Sequence, residues 1–299
     1  MVGLAAALLL WIGFGDSRHL TPRHRAEWLE VDGVRVRALR AGRGDTTLVF
    51  LHGYGESLLA WRLLLDRFTH YRLLAIDLPG FGMSDRPGAY DFQSYTRWLG
   101  GLIREQTRGA VVVVGHSMGG QLAAALALEH PDRIVAAVLI APAGAGVQPF
   151  LTDTAGVASF AARWAAGAIA FVLPAHDSAW LLEPVDFRRQ VFPDSASVAA
   201  RRVLAEFDFA ALADRFRGLR QPVLLIWGRQ DPTIPFEIGE RIAAQLPCRR
   251  FVHLLTLHRP HQTLPDTVAA EMLSFLGRPE CGDEVSLRAG GRGALRSSE

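Results

Sequence analysis

Short apolar runs alternate with stretches of helical pattern along most of this 299-residue chain. Six of the runs have the length and composition of buried strands, and they cover residues 48–51, 73–76, 111–114, 134–140, 223–226 and 251–255. Helical stretches, such as residues 57–68 and 94–107, separate most of them. Because strands that alternate with helices pair into a sheet covered on both faces, the pattern predicts an α/β fold with a mostly parallel central sheet flanked by helices.

Two alternating runs within residues 29–39 come before the first buried strand. Asp32 and Gly33 join them, and this pair suits a tight turn that requires positive φ. The sequence therefore predicts an antiparallel hairpin at the start of the sheet.

The regular alternation stops between residues 144 and 217, where apolar helical material replaces strands. This insertion predicts a helical cap over the strand ends, where open α/β sheets bind their ligands. The predicted core then consists of residues 25–143 and 218–276. The remaining residues, 277–299, are rich in Gly, Arg and Ser and are predicted to be disordered.

The first 24 residues form a separate segment, in which residues 2–15 are nearly all apolar and a basic stretch follows. The run is shorter than the roughly 20 residues needed to span a bilayer, and no A-x-A-like cleavage site follows it. A membrane anchor, an export signal and a helix packed on the protein surface stay open. Membrane contact through residues 2–15 is one expectation, and the sequence favours neither a membrane or exported location nor a cytoplasmic one.

Composition excludes several classes of function. The net charge is +2, and no basic stripe indicates nucleic-acid binding. The chain has neither lysine nor asparagine, which excludes Schiff-base catalysis and N-linked glycosylation. Cys248 and Cys281 lack metal-site spacing, and we expect two ordinary thiols rather than a disulfide.

A candidate nucleophile lies directly after the run at 111–114. Ser117 has a glycine two positions before it, Gly115, and another two positions after it, Gly119. A sharp strand-to-helix turn that exposes a serine hydroxyl crowds these two positions, and glycine has no Cβ to clash there. The pattern favours a nucleophilic serine over a glycine-rich connection.

A serine nucleophile needs a base that accepts its proton and a carboxylate that orients the base. Asp231 follows a buried strand directly and has turn residues around it, which predicts a position at the same sheet edge as Ser117. Three histidines, His253, His258 and His261, lie within or after the last buried run. These residue types predict a catalytic triad.

Five segments together resemble the α/β-hydrolase superfamily, in its serine-nucleophile, esterase- and lipase-like branch with a helical cap. They are residues 51–55 (LHGYG), 77–84 (DLPGFGMS), 115–119 (GHSMG), 227–235 (WGRQDPTIP) and 257–260 (LHRP). The resemblance implies the catalytic triad Ser117, Asp231 and His258. It favours His258 because prolines follow two and seven residues later, at Pro260 and Pro265.

The histidine segment departs from the family pattern at two positions. Leu257 replaces the usual glycine, and Thr263 replaces the usual acidic residue. His261 is therefore kept as the alternative base, whereas His253 is expected to belong to the strand. The family's other acid position falls at residues 141–143, which contain no carboxylate.

The resemblance also implies an oxyanion hole made by the backbone N–H groups of Tyr54 and Met118. His52 and Gly53 are expected to support the oxyanion loop, and Asp77 to stabilise the loop that it begins. Three further residues are candidates for the substrate pocket, and they are His116, Phe160 and Trp164.

The expected function is hydrolysis of a carboxylic ester with an apolar acyl group, through an acyl-enzyme and without a metal or organic cofactor. Carbon–carbon bond hydrolases, lactonases and perhydrolases use the same triad and are alternatives. A hydrolase fold kept as a non-catalytic binding module is a further alternative. A small ester is the expected partner, and the sequence predicts no oligomeric state.

Overall fold

The computed structural model describes residues 25–145, 196–279, 281 and 285–287. The strands in this part of the chain are β1 (Arg25–Val31), β2 (Val34–Ala41), β3 (Thr47–Leu51), β4 (Arg72–Ile76), β5 (Val111–His116), β6 (Ile134–Ile140), β7 (Val223–Gly228), β8 (Arg249–Leu254) and β9 (Val285–Leu287). The α-helices are α1 (Arg62–Leu65), α2 (Phe92–Gln106), α3 (Met118–Glu129), α4 (Ala196–Glu206), α5 (Phe236–Gln245), α6 (Pro260–Thr263) and α7 (Pro265–Gly277). Short 3₁₀ turns cover Leu58–Trp61, Asp66–Phe68 and Phe216–Gly218.

The strands form one sheet in the order β1-β2-β4-β3-β5-β6-β7-β8-β9. Pairing is antiparallel from β1 through β2 to β4 and parallel from β4 onwards. Each of the six predicted buried strands is present, and the mostly parallel sheet with flanking helices is confirmed. The carboxyl ends of β3, β5, β7 and β8 therefore lie along one edge of the sheet.

The predicted hairpin is the connection between β1 and β2. Asp32 and Gly33 have φ values of 50° and 74°, and Val31 pairs with Val34 across the turn. Positive φ at both central residues fits the twist of the two strands. The local sequence determines this first connection of the sheet.

A separate apolar core covers each face of the sheet. One core packs α2, α3 and α5 against the sheet and includes Trp98, Leu122 and Trp227. The other lies under the short helical turns after β3 and under α7, and it includes Trp61 and Phe275. Burial on both faces explains why β5 and β7 are continuous apolar runs rather than alternating ones.

The prediction for the cysteines is wrong. Cys248 and Cys281 form a disulfide, with their Cα atoms 4.8 Å apart. Cys248 directly precedes β8, and Cys281 lies shortly before β9, which pairs with β8. The bond therefore fastens the end of the described chain to the edge of the sheet.

The predicted disordered tail is also wrong for Val285–Leu287, which form β9. These residues pair with β8, which provides hydrogen-bond partners for their backbone N–H and C=O groups. The composition of the tail does not indicate this pairing. The first 24 residues and most of the predicted cap, including Phe160 and Trp164, lie outside the described residues, and α4 is the helix described within the cap range. Of the helices described, not one has the length and apolar character needed to cross a bilayer.

Candidate active site

Ser117 lies on a strained turn between β5 and α3. Its φ of 53° and ψ of −117° are outside the regions that residues other than glycine normally adopt. A Cβ on Gly115 would lie 2.2 Å from the Gly119 carbonyl oxygen, and one on Gly119 would lie 2.1 Å from the Leu51 oxygen. Both glycines are therefore required by close backbone packing. Strain of this kind, worth about 1–3 kcal/mol, is concentrated at functional sites.

Asp231 and His258 are joined by a short hydrogen bond. Nδ1 of His258 lies 2.6 Å from Oδ2 of Asp231, whose side chain is fully buried. The other carboxylate oxygen accepts hydrogen bonds from the backbone N–H groups of Thr233 and Ile234, at 2.7 and 2.9 Å. The turn after β7 thus fixes the carboxylate, and the carboxylate fixes the imidazole.

The structure separates the three candidate histidines. His253 belongs to β8, as expected. His261 is fully buried, and its ring packs at a tilt against the ring of Trp61, with the centroids 4.6 Å apart. Its Nδ1 has no hydrogen-bond partner among the described residues. His258 is the one that contacts Asp231.

The two departures from the family pattern leave the histidine loop ordered. Leu257 does not have positive φ, so the loop has no need of glycine there. The hydroxyl of Thr263 donates to the Arg259 carbonyl at 3.2 Å and lies 2.7 Å from the hydroxyl of Thr256. Thr263 therefore links the two sides of this loop.

Among the hydrogen bonds of the described residues, no direct one joins the side chains of Ser117 and His258. Their neighbours connect them, since Nε2 of His116 lies 3.0 Å from the carbonyl oxygen of His258. The rings of His116 and His258 are 4.7 Å apart. Catalytic hydrogen bonds of free enzymes are often long and shorten when substrate binds.

The predicted oxyanion donors lie at the same sheet edge. Met118 is the first residue of α3, where N–H groups have no partner within the helix. Tyr54 follows β3 on the adjacent loop, and its ring packs edge-on against Phe81, with the centroids 5.8 Å apart. Burial raises the pKa of the Tyr54 phenol to about 12. The side chain therefore stays neutral at physiological pH.

His52 links the loop after β3 to the loop after β4. Its Nδ1 donates to the Gly53 carbonyl at 2.7 Å, and its Nε2 accepts from the Leu78 N–H at 2.9 Å. Burial lowers the pKa of His52, although the nearby Asp77 opposes this shift. A neutral ring with one donor and one acceptor matches both contacts.

Asp77 stabilises the neighbouring loop. It accepts hydrogen bonds from the N–H groups of Leu58 and Met83, at 2.7 and 2.8 Å, and from Nε of Arg37 at 2.7 Å. These contacts account for its conformation without a catalytic role.

Sequence reasoning missed a buried acid beside the site. Oε2 of Glu56 accepts from the Gly53 N–H at 2.8 Å and lies 3.0 Å from Nδ1 of His116, while Oε1 lies 2.9 Å from Nε of Arg259. His116, a candidate pocket residue, is buried in this network instead. The available signal was a single acidic residue in the mostly apolar stretch at 48–61.

Glu56, His116 and His261 offer three potential metal-ligand atoms within 4.8 Å of one another. However, the guanidinium of Arg259 already contacts the carboxylate, and both nitrogens of His116 face hydrogen-bond partners. A divalent cation would have to displace this positive charge. We therefore interpret the cluster as a hydrogen-bonded network.

Comparison with known proteins gives matches over most of the chain. The uncharacterized hydrolase YugF of Bacillus subtilis is 29% identical over 264 residues, which are 82% of this chain and 96% of the relative. The pimeloyl-[acyl-carrier protein] methyl ester esterase of Vibrio vulnificus is 29% identical over 77% of this chain and 94% of its own length. A 2-hydroxy-6-oxononadienedioate/2-hydroxy-6-oxononatrienedioate hydrolase of Burkholderia vietnamiensis is 28% identical over 72% of this chain and 81% of its own length.

Solved structures support the same fold. A membrane phospholipase A described as a bacterial virulence factor superposes with a TM-score of 0.74 at 22% identity, covering 93% of this chain and 96% of its own. The enol-lactonase of Burkholderia xenovorans gives 0.69 at 22% identity, covering 84% of this chain and all of its own. The family model for the α/β hydrolase fold matches residues 46–258. The chain therefore belongs to the α/β-hydrolase fold family and is a hydrolase of that fold.

Proposed function

We propose that the protein is a serine hydrolase that cleaves carboxylic esters. Ser117 Oγ attacks the ester carbonyl while His258 accepts its proton, and Asp231 keeps the imidazole in the required tautomer. The N–H groups of Tyr54 and Met118 stabilise the oxyanion. His258 then protonates the departing alcohol, and water, activated by the same histidine, releases the acid from the acyl-enzyme.

The observation that carries this proposal is the 2.6 Å contact between Asp231 and His258, at the sheet edge where Ser117 occupies the strained turn. An imidazole oriented by a carboxylate, which two backbone N–H groups hold in place, is the base that a serine nucleophile needs. The methyl ester esterase among the relatives supports an ester as the substrate.

A second candidate reaction is hydrolysis of a carbon–carbon bond next to a ketone. It is favoured by the relative from Burkholderia vietnamiensis, which is named for such dienedioate substrates. The same triad serves both reactions, so the difference must come from the groups that bind the rest of the substrate. We place an apolar ester first, with Phe160 and Trp164 of the proposed cap as candidate pocket residues.

The test is a series of p-nitrophenyl esters with acyl chains from acetate to dodecanoate, assayed beside a vinylogous diketone. We expect ester turnover by the wild type and a loss of at least about 10³-fold in kcat for Ser117→Ala. Ser274→Ala, at an exposed serine on α7 outside the proposed site, is the matched control. Turnover by Ser117→Ala at the wild-type rate would contradict the assignment, and activity confined to the diketone would favour the second candidate.

A further inference from the structure

We propose that Glu56 is a positioning residue that sets the relative placement of the three loops carrying Tyr54, Ser117 and His258. Its carboxylate contacts Gly53, His116 and Arg259. Each of these partners is the sequence neighbour of one proposed catalytic residue. Gly53 precedes Tyr54, His116 precedes Ser117, and Arg259 follows His258. The inference rests on the proposed function, because it concerns the geometry of that site.

The three contacts are strong because the carboxylate is charged and enclosed. The side chain of Glu56 is 1% exposed. Burial alone would raise the pKa of Glu56, but His116 and Arg259 together lower it well below the usual range. Hydrogen bonds to an ionised group are shorter and about twice as strong as neutral ones. The charge of Glu56 therefore holds all three partners at once.

His116 extends this network to the backbone of the base. One ring nitrogen lies 3.0 Å from Glu56, and the other lies 3.0 Å from the carbonyl oxygen of His258. The ring of His261 packs 4.6 Å from the ring of His116 and 4.6 Å from that of Trp61. The side chains of His116 and Glu56 are only 2% and 1% exposed, so water has little access to replace a lost contact.

Glu56 itself does not act on the substrate in this account. Its three contacts of 3.0 Å or less go to sequence neighbours of the proposed catalytic residues, and a fourth, longer one comes from Nε2 of Gln262 on α6 at 3.5 Å. The effect of Glu56 is therefore on the separation of the catalytic residues. A displacement of about 1 Å in a catalytic group can lower the rate by about 10²-fold. Substrate binding by the pocket should be far less sensitive.

The variant that tests this is Glu56→Gln, which keeps the side-chain shape but removes the charge and places an N–H donor against Gly53 or Arg259. We expect kcat for p-nitrophenyl esters to fall about 10²-fold with KM nearly unchanged. A fluorophosphonate should still label every folded molecule, but more slowly. Glu271→Gln is the matched control, since Glu271 pairs with Arg250 at 2.6 Å on α7 and β8, away from the site. Its kcat should equal that of the wild type.

A double variant separates positioning from general loss of stability. Arg259→Gln should lower kcat by about 10-fold. In the double variant, Glu56→Gln with Arg259→Gln, kcat should fall by less than the product of the two single effects, because both substitutions remove the same Glu56–Arg259 interaction. A merely structural role would instead lower Tm and the labelled fraction and leave kcat per labelled site unchanged.

The results distinguish this inference from the proposed function. If the wild type is active and Glu56→Gln has the same kcat per labelled site, the positioning role is overturned and the proposed function stands. A wild type with neither ester turnover nor labelling of Ser117 would overturn both. If Glu56→Gln does not fold, Arg259→Gln decides, since a lowered kcat at wild-type Tm supports the proposal and an unchanged kcat overturns it.

Discussion

Two carboxylate–histidine pairs lie side by side in this protein. Asp231 and His258 are joined at 2.6 Å, and Glu56 and His116 are joined at 3.0 Å. The two imidazole rings are only 4.7 Å apart. The pairs have the same chemical components, yet we assign catalysis to one and positioning to the other.

The difference lies in the second ring nitrogen. In His116 it faces the carbonyl oxygen of His258, and the side chain is 2% exposed. The side chain of His258 is 13% exposed, and within the part of the chain that the structure describes its Nε2 has no hydrogen-bond partner. A histidine can act as a general base only through a nitrogen that is accessible and not already engaged. Access, rather than residue type, therefore distinguishes the two pairs.

The strongest test of the comparison is Asp231→Asn. The amide preserves the shape but favours the wrong tautomer of His258, for which a loss of about 10⁴-fold in kcat is expected. Glu56→Gln, with its expected 10²-fold loss, provides the matched amide substitution in the other pair. Steady-state kinetics on the same ester measure both. Equal losses would break the distinction between the two pairs.

A smaller effect tests what positions the histidine loop. Cys248 lies at the start of β8 and His258 lies beyond its end, so the disulfide should stabilise the fold without setting the site. Replacing both cysteines by serine should lower the free energy of unfolding by roughly 2–4 kcal/mol and leave kcat unchanged. Denaturant titration and ester kinetics on the same sample measure this. A large loss of kcat at full folding would show that the far end of β8 controls the loop.

The smallest effect concerns pH and the enclosed histidines. Burial lowers the pKa of His116, and lowers that of His261 well below its ordinary value of 6.5. The unfolded chain therefore binds protons that the folded chain does not, and stability falls as pH drops below about 6.5. The contribution of Glu56, whose pKa is also lowered, is lost only as pH falls below its ordinary value of 4.5.

His261→Phe removes one of these groups and keeps an aromatic ring against Trp61. The slope of unfolding free energy between pH 6.5 and 5 should then decrease by up to about 1.4 kcal/mol per pH unit. The exposed His70→Gln is the control, measured by the same urea titrations. An unchanged slope in His261→Phe would show that the enclosed cluster does not carry this acid sensitivity.

Local sequence patterns were sufficient to predict part of the structure. The apolar runs predicted the sheet, and the glycines around Ser117 predicted its turn, because neighbouring residues determine both features. The position of Asp231 at the edge of Ser117 followed from parallel strands that end at one edge, whereas the choice of His258 came from the resemblance to the hydrolase family. The roles assigned to these residues stay a prediction until they are tested.

Other features depend on distant contacts. Glu56 contacts His116 and Arg259, which lie 60 and 203 positions further along the chain, and no local pattern connects them. The disulfide joins residues 33 positions apart, and strand β9 forms only by pairing with β8. Composition indicated free thiols and disorder there because it carries no information on tertiary pairing.

The most direct test of the account is the site of covalent labelling by a fluorophosphonate. The chain has no lysine, so trypsin cleaves after Arg108 and Arg133 and releases residues 109–133, in which Ser117 is the one hydroxyl-bearing side chain. We predict that inactivation of ester turnover proceeds in step with phosphonylation of this peptide, measured by mass spectrometry. Inactivation with the label on another peptide, or full ester turnover by a protein fully labelled at residues 109–133, would contradict Ser117 as the nucleophile.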